Sequence, residues 1–240
     1  MNVNILSWNC NKAFRKKCGL FSDKNYDVLV IAECENPAAV QFPDFIHEMY
    51  SYRWIGDNKN SGLCVFVRKD WELKLLDDYR DQVISYVLPV KITSAKEQIA
   101  LFAIWACPGD NNKFRYIGQV WLYLKKYLEK FPKNGVLLAG DFNSNMIWDN
   151  EHEEGCHTDV VRLLQSKHIE SIYHTLKKEH HGAETIKTLY MYRKKDKGYH
   201  IDYCFASQDI RQNYVTCIIG EYDQWIKHSD HMPITLRIRE

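Results

Sequence analysis

The 240-residue sequence contains no C-x-x-C pair, no Ser/Gly run, no proline cluster, no low-complexity tract and no internal repeat. It also has no window approaching the roughly 18 apolar residues of a membrane span. Each absence removes a class. With no linker-like stretch, a single domain over residues 1–240 is expected, since two-sheet domains commonly run to about 200–250 residues. The opening MNVNILSWNC has neither a basic start nor a cleavage site, so a cytoplasmic location without membrane association is the expectation. The eight cysteines (Cys10, Cys18, Cys34, Cys64, Cys107, Cys156, Cys204 and Cys217) include several inside apolar runs such as GLCVFV and IDYCFA. They read as small buried hydrophobes in a reducing compartment. A net charge of only +1 gives no global pull toward nucleic acid or membrane, so any binding of a polyanion must come from a local patch. No obligate protein partner is evident.

What is present is a core. Apolar residues make up 45% and aromatics 13%, which excludes disorder as a description of the chain. Nine short runs rich in β-branched and aromatic residues read as strands: VNILSW, DVLVIAE, GLCVFVR, VISYVLPVKI, IALFAIWA, GVLLAGDF, HIDYCFA, NYVTCII and MPITLRI. Helical spacing is clearest from Lys113 to Lys130, where Ile117, Val120, Trp121, Leu124 and Leu128 share a stripe. A second helix is expected from Asp159 to Lys167, with Thr158 as N-cap and Val160, Val161 and Leu164 facing inward. Many strands with helices between them predict an α/β fold, a four-layer α/β/β/α sandwich of two mainly antiparallel sheets flanked by helices.

Four strand ends carry polar groups. In LLAGDFNSN an apolar run stops at a glycine and presents Asp141 and Asn143 two positions apart, on one face if the strand continues. ILSWNCN ends at Asn9 and VLVIAECE at Glu33, while IKHSDHMPI places Asp230 and His231 just before the last strand. Oxygen-rich donors of this kind suit Mg²⁺ better than a thiolate or His-rich zinc cage.

Five stretches, SWNCN at 7–11, LVIAEC at 29–34, AGDFNSN at 139–145, YHIDYCFAS at 199–207 and SDHMPI at 229–234, occur in the order of the endonuclease/exonuclease/phosphatase superfamily. The sequence resembles that family over nearly its whole length, its exonuclease III and pancreatic deoxyribonuclease branches included. LVIAEC stands where the family usually has L-Q-E. The resemblance implies a Mg²⁺-dependent phosphoric-ester hydrolase, with Mn²⁺ able to substitute. It makes Glu33 a metal ligand, gives Asn9 to positioning metal and phosphate, and gives Asp230 to metal or water positioning. Asp141 would orient or deprotonate the attacking water, and Asn143 would hold the phosphate or the nucleophile. Asp202 would pair with His231. A carboxylate-held imidazole suits this chemistry, because it keeps one tautomer and can be cationic near neutral pH.

One position departs from the family. Where His or Tyr is usual after the central strand, AIWACPGD has Trp105; an indole donates one hydrogen bond and offers no acid–base chemistry, which leaves packing on a base or sugar, or a place in the core. Weaker signals remain. CHTD at 156–159 reads as a cap on the following helix, with a second metal site at His157 and Asp159 as the alternative, while HH at 180–181 and HEE at 152–154 lack a partner at convincing spacing and read as surface. The stretch before Asp202 interleaves Lys187, Arg193, Lys194, Lys195 and Lys197 with Tyr190, Tyr192 and Tyr199, the mixture that grips single strands or ends; a solvated hairpin would look the same. The expected substrate is therefore DNA or RNA. A phospholipid, inositol phosphate or nucleotide is the alternative, and a catalytically silent binding module the third reading.

Overall fold

Strands buried on both faces read as continuous apolar runs, and edge strands do not. That difference explains why three edge strands emerge only in the structure. The computed structural model describes residues 1–81, 83–84, 87–108, 113–151 and 153–240. Its strands are β1 (Val3–Asn9), β2 (Val28–Cys34), β3 (Tyr50–Asn58), β4 (Ser61–Arg68), β5 (Glu72–Leu75), β6 (Val87–Thr93), β7 (Gln98–Trp105), β8 (Val136–Asp141), β9 (Ile169–Ser171), β10 (Leu189–Tyr190), β11 (Gly198–Tyr199), β12 (Asp202–Ser207), β13 (Tyr214–Ile219) and β14 (Ile234–Arg239). Its helices are α1 (Asp44–Met49), α2 (Ile117–Tyr127), α3 (His157–Gln165), α4 (Ile172–Lys177), α5 (Gln208–Arg211) and α6 (Tyr222–Trp225).

Twelve of these strands form two six-stranded sheets, ordered β13-β14-β1-β2-β4-β3 and β5-β6-β7-β8-β12-β9. In each sheet a single neighbouring pair, β1/β2 or β7/β8, is parallel, and the others are antiparallel. The mainly antiparallel expectation holds. The five strands absent from the nine apolar runs are β3, β5, β9, β10 and β11. The first three lie at sheet edges, and β10 with β11 makes a separate hairpin.

Side-chain alternation builds the layers. Along β7, Ile99, Leu101 and Ala103 face the core shared with the other sheet. Ala100, Phe102 and Ile104 face outward, where Val120, Leu124 and Leu164 of α2 and α3 cover them. Along β1, Val3 and Ile5 enter the shared core, while Leu6 and Trp8 pack with Phe14, Phe21, Phe42 and Phe66. The outer layer on that side is therefore aromatic side chains, α1 and the short 3₁₀ turns Phe14–Lys16 and Cys18–Phe21.

The helices begin elsewhere than expected. α2 starts at Ile117, not Lys113, because Tyr116 has φ 51° and cannot extend a right-handed helix upstream; residues 128–130 tighten into a 3₁₀ turn. α3 runs His157–Gln165, so Thr158 is not its N-cap. Cys156 holds that position, and the Asp159 carboxylate accepts from the backbone N–H of Gly155 at 2.9 Å and of Cys156 at 3.4 Å. The Thr158 hydroxyl donates instead to Asp149. In HEE, position 152 lies outside the described residues, and Glu154 is an exposed partner of Lys113 at 2.9 Å. His180 is exposed as expected, but His181 is not a surface residue: it is half-buried and its Nδ1 is 2.9 Å from Nε2 of His157.

Candidate active site

One parallel pair per sheet brings like strand ends together, and antiparallel neighbours contribute their opposite ends to the same edge. β1, β2 and β8 reach this edge with their carboxyl ends at Asn9, Glu33 and Asp141. β12 reaches it with its first residue, since Asp202 pairs in register with Asp141. β14 runs antiparallel to β1, so the loop before it carries Ser229, Asp230 and His231 to the same place.

Local backbone features aim the groups. Glu33 sits at φ 57° in a bulge where the β2/β4 register shifts between Ala32 and Cys34. Such a bulge re-aims a side chain that would otherwise follow the pleat. β8 ends at Asp141, so Asn143 does not reach Asp141 by strand alternation. It turns back through φ 47°, its N–H donating to Asp141 Oδ1 at 2.8 Å and its amide to the Ala106 carbonyl at 3.1 Å.

Asn9 is the bridge between the sheets. Its Nδ2 donates to Asp141 Oδ2 at 2.9 Å and to Glu33 Oε1 at 3.2 Å. On the other side of Asp141, His231 Nδ1 lies 2.9 Å from Asp202 Oδ2, and His231 Nε2 lies 4.0 Å from Asp141 Oδ2. The three side chains are buried. Burial, with the Asp202 charge behind it, pushes the Asp141 carboxyl up to about 7. Burial opposes charge on His231, but Asp202 and then Asp141 outweigh it and raise the imidazole to about 10. Near neutral pH the group is an imidazolium held between two carboxylates, one of which is poised to exchange its proton.

Asp230 reaches the same edge, but its carboxylate accepts from Asn11 Nδ2 at 2.7 Å rather than joining Asn9, Glu33 or Asp141. Trp105 ends β7 opposite Asp141 in register and packs its half-buried indole against the inter-sheet core. In the segment AIWACPGD, residues 109 and 110 lie outside the described residues. The basic, tyrosine-rich stretch forms the β10/β11 hairpin, whose Leu189 bridges to His231 and whose Tyr190 N–H donates to the Asp230 carbonyl at 2.8 Å. The hairpin therefore touches the histidine loop, while its tip leans on α6. Arg193 donates to the Ile226 carbonyl, Lys195 pairs with Asp223 at 3.2 Å, and Tyr190 meets Tyr222 edge-on at 4.6 Å. Lys194 is exposed, and Lys197 lies over the exposed Tyr192 ring at 5.3 Å.

Three positioning groups escaped the sequence reading. The Ser229 hydroxyl donates to the Asn9 carbonyl at 2.8 Å and accepts from the His231 N–H at 3.0 Å. Trp8 Nε1 donates to the His231 carbonyl at 2.9 Å. Thr188 Oγ1 accepts from the N–H groups of Ile201 and Asp202 at 2.9 and 3.0 Å. Ser229 and Trp8 lie inside the quoted motifs, whereas nothing near Thr188 signals its role.

No protein-family model matches the chain, and no curated protein matches it. Solved structures do. A 3'-5' exonuclease, NExo, from Neisseria meningitidis superposes with a TM-score of 0.71 at 18% identity, over 99% of this chain and 100% of that one. An AP endonuclease from Archaeoglobus fulgidus gives 0.70 at 17% identity, over 99% and 100%. D. rerio TDP2, complexed with a single-strand DNA product, gives 0.64 at 16% identity, over 100% and 99%.

Proposed function

We propose that this chain, which has the fold of the endonuclease/exonuclease/phosphatase superfamily, is a divalent-metal-dependent phosphodiesterase acting on nucleic acid. The single observation that carries the reading is the buried Asp202–His231 pair facing Asp141, which Asn9 ties to Glu33.

The donor set fits a hard cation. Glu33, Asn9 and Asp230 offer oxygen at the open edge of the sheets, no thiolate among them, and Glu33 and Asp230 are only half-buried. These residues would hold Mg²⁺, or Mn²⁺ in its place. Such an ion, when bound, neutralises charge on the non-bridging phosphate oxygens. The rest belongs to the chain. Asp141, with its carboxyl near neutrality, takes a proton from the attacking water. Asn143 keeps that carboxylate oriented through its backbone N–H. His231, held in place by Asp202, presents a cationic N–H to the phosphate as negative charge builds. The half-buried Trp105 has no proton to give, so protonation of the leaving group falls to His231 or to solvent.

Nucleic acid is favoured over a lipid or inositol phosphate because the β10/β11 hairpin that carries Tyr192, Arg193, Lys194, Lys195 and Lys197 joins the histidine loop at Leu189 and Tyr190. The named neighbours point the same way, being an exonuclease, an AP endonuclease and a protein crystallised with a DNA product. Eight free cysteines support a reducing compartment. The test offers purified protein, with Mg²⁺ or Mn²⁺, labelled single- and double-stranded DNA, RNA, abasic DNA and small phosphate esters. Nucleic-acid hydrolysis should fall about 10²–10³-fold in Asp141→Asn and Glu33→Gln. Turnover of only the small esters, or parental turnover by either variant, would overturn the reading.

A further inference from the structure

A second cluster of chemically competent side chains lies away from Asp141, and the proposed hydrolysis makes no use of it. Ser171 caps α4, and the loop after that helix returns through Gly182 at φ 87° to Glu184. His174, His181 and Glu184 are thereby gathered so that one ligand atom from each falls within 4.8 Å of the others. His174 Nε2 and Glu184 Oε1 are 3.1 Å apart. Two ligands of a tetrahedral ion with bonds of about 2.0–2.1 Å are separated by about 3.3 Å.

The second atom of every member is already held. His174 Nδ1 is 2.7 Å from the Ser171 hydroxyl, His181 Nδ1 is 2.9 Å from His157 Nε2, and Glu184 Oε2 accepts from Asn145 Nδ2 at 3.0 Å. Metal-binding histidines and carboxylates are oriented by outer partners of this kind. Glu184 is 3% exposed, and no Lys or Arg side chain pairs with its carboxylate among the described residues. Its Oε1 accepts the Gly182 N–H at 3.0 Å, and with Asn145 and His174 this hydrogen bonding keeps the carboxyl ionised and ready for a cation. Around it lie two further buried imidazoles, and their His157 Nδ1 and His200 Nε2 have no hydrogen-bond partner among the described residues.

We infer that His174, His181 and Glu184 form a second metal site, selective for a borderline first-row ion of the zinc class and not for Mg²⁺. Two imidazole nitrogens and one carboxylate oxygen are the donor set such ions prefer, with water in the fourth position. His181 stacks on His174 with centroids 3.6 Å apart, so ligation turns its half-buried ring out of the stack until Nε2 meets the ion. A cleft bounded by Gln165, Glu170, Thr175 and His180 gives access. The ion would clamp α4 to the turn that follows it. Because Glu184 also holds Asn145, two residues beyond Asn143, the clamp would secure the far side of the loop that carries Asn143.

Cobalt(II) is the probe, since a tetrahedral N/O site gives it far more intense, red-shifted visible bands than an octahedral oxygen site does. The metal-stripped protein should bind one equivalent with tetrahedral bands, should be displaced by Zn²⁺ but not by excess Mg²⁺, and should gain melting temperature. Ser171→Ala should weaken binding about 10–100-fold. His181→Gln should abolish the bands at concentrations saturating the parent, with the circular dichroism of the metal-free protein unchanged. His180→Gln and Glu33→Gln should keep them. Absence of tetrahedral cobalt in the parent, or its survival in both His181→Gln and His174→Gln, would overturn the inference. Loss of nuclease activity alone would not bear on it, because the readout is spectroscopic.

Discussion

Glu33 and Asn143 both occupy left-handed backbone, and neither is glycine. Strain of this kind costs about 1–3 kcal/mol per residue and persists where surrounding structure enforces it. Their residue types were legible in the sequence because phosphate chemistry admits few substitutes; their conformations were not, since any residue can be forced into a bulge. His231 carries a consequence for pH. Its imidazole is raised from 6.5 to about 10, so the stability it contributes is complete below about pH 6.5 and is lost as pH rises through about 10. Asp141, raised from 3.8 to about 7, acts in the same direction at lower pH, because the folded protein keeps a proton that the unfolded chain releases. The buried His157, His181 and His200, lowered to about 4, 3 and 4, act oppositely below about pH 6.5, so in chelator the urea midpoint should fall from pH 7 to pH 10, and His231→Gln should flatten that fall. A parental midpoint that rises over that range would contradict the assignment. Thr188 was silent in the sequence because a threonine in a polar loop has no pattern to break. Thr188→Val would leave two buried N–H groups without their acceptor, and urea unfolding should show a loss of about 1–3 kcal/mol.

The elements most legible in the sequence were those with apolar side chains on both faces; β3, β5 and β9 lie at edges where one face meets water, and they left only weak traces. Glycine in β8 has a particular use. Gly140 has φ 146°, and a Cβ there would come within 1.8 Å of the Ile104 carbonyl oxygen. β7 and β8 can pair closely beside Asp141 only because that atom is missing. Gly140→Ala should therefore cost at least about 3 kcal/mol, read as a fall of roughly 6–12 °C in Tm; an unchanged Tm would show that the strands part without penalty. The β10/β11 hairpin illustrates the limit of charge patterns. Its lysines looked equivalent in sequence, yet Lys195 is paired with Asp223 while Lys194 is exposed. Changing Lys194, Lys195 and Lys197 together to Ala should flatten the salt dependence of binding. For each phosphate that a lysine no longer neutralises, the slope of log K against log salt should shrink by about 0.9 on duplex, or about 0.7 on single strands. Turnover of a small phosphodiester should stay near parental. An unchanged slope would make the hairpin a solvated surface.

Across the whole molecule, the two sheets meet in a single apolar layer, and the candidate site occupies one end of it. The sandwich followed from the count of apolar runs, and the convergence of the motifs from their order along the chain. The His174, His181 and Glu184 cluster did not, because its members are spaced irregularly and the turn at Gly182 that joins them has no periodic signature. The pairing of β1 with β14 has a further effect, on the timing of synthesis. Asn9 is made 220 positions before Ser229, whose hydroxyl meets its carbonyl. Contacts so distant in sequence close last, after the entropy of the intervening loop has been overcome. A nascent chain can assemble the second sheet, which lies wholly between Glu72 and Ser207, while β1 still waits for its neighbour. The edge that gathers Asn9, Asp141 and His231 therefore stays incomplete until residue 231 has been made.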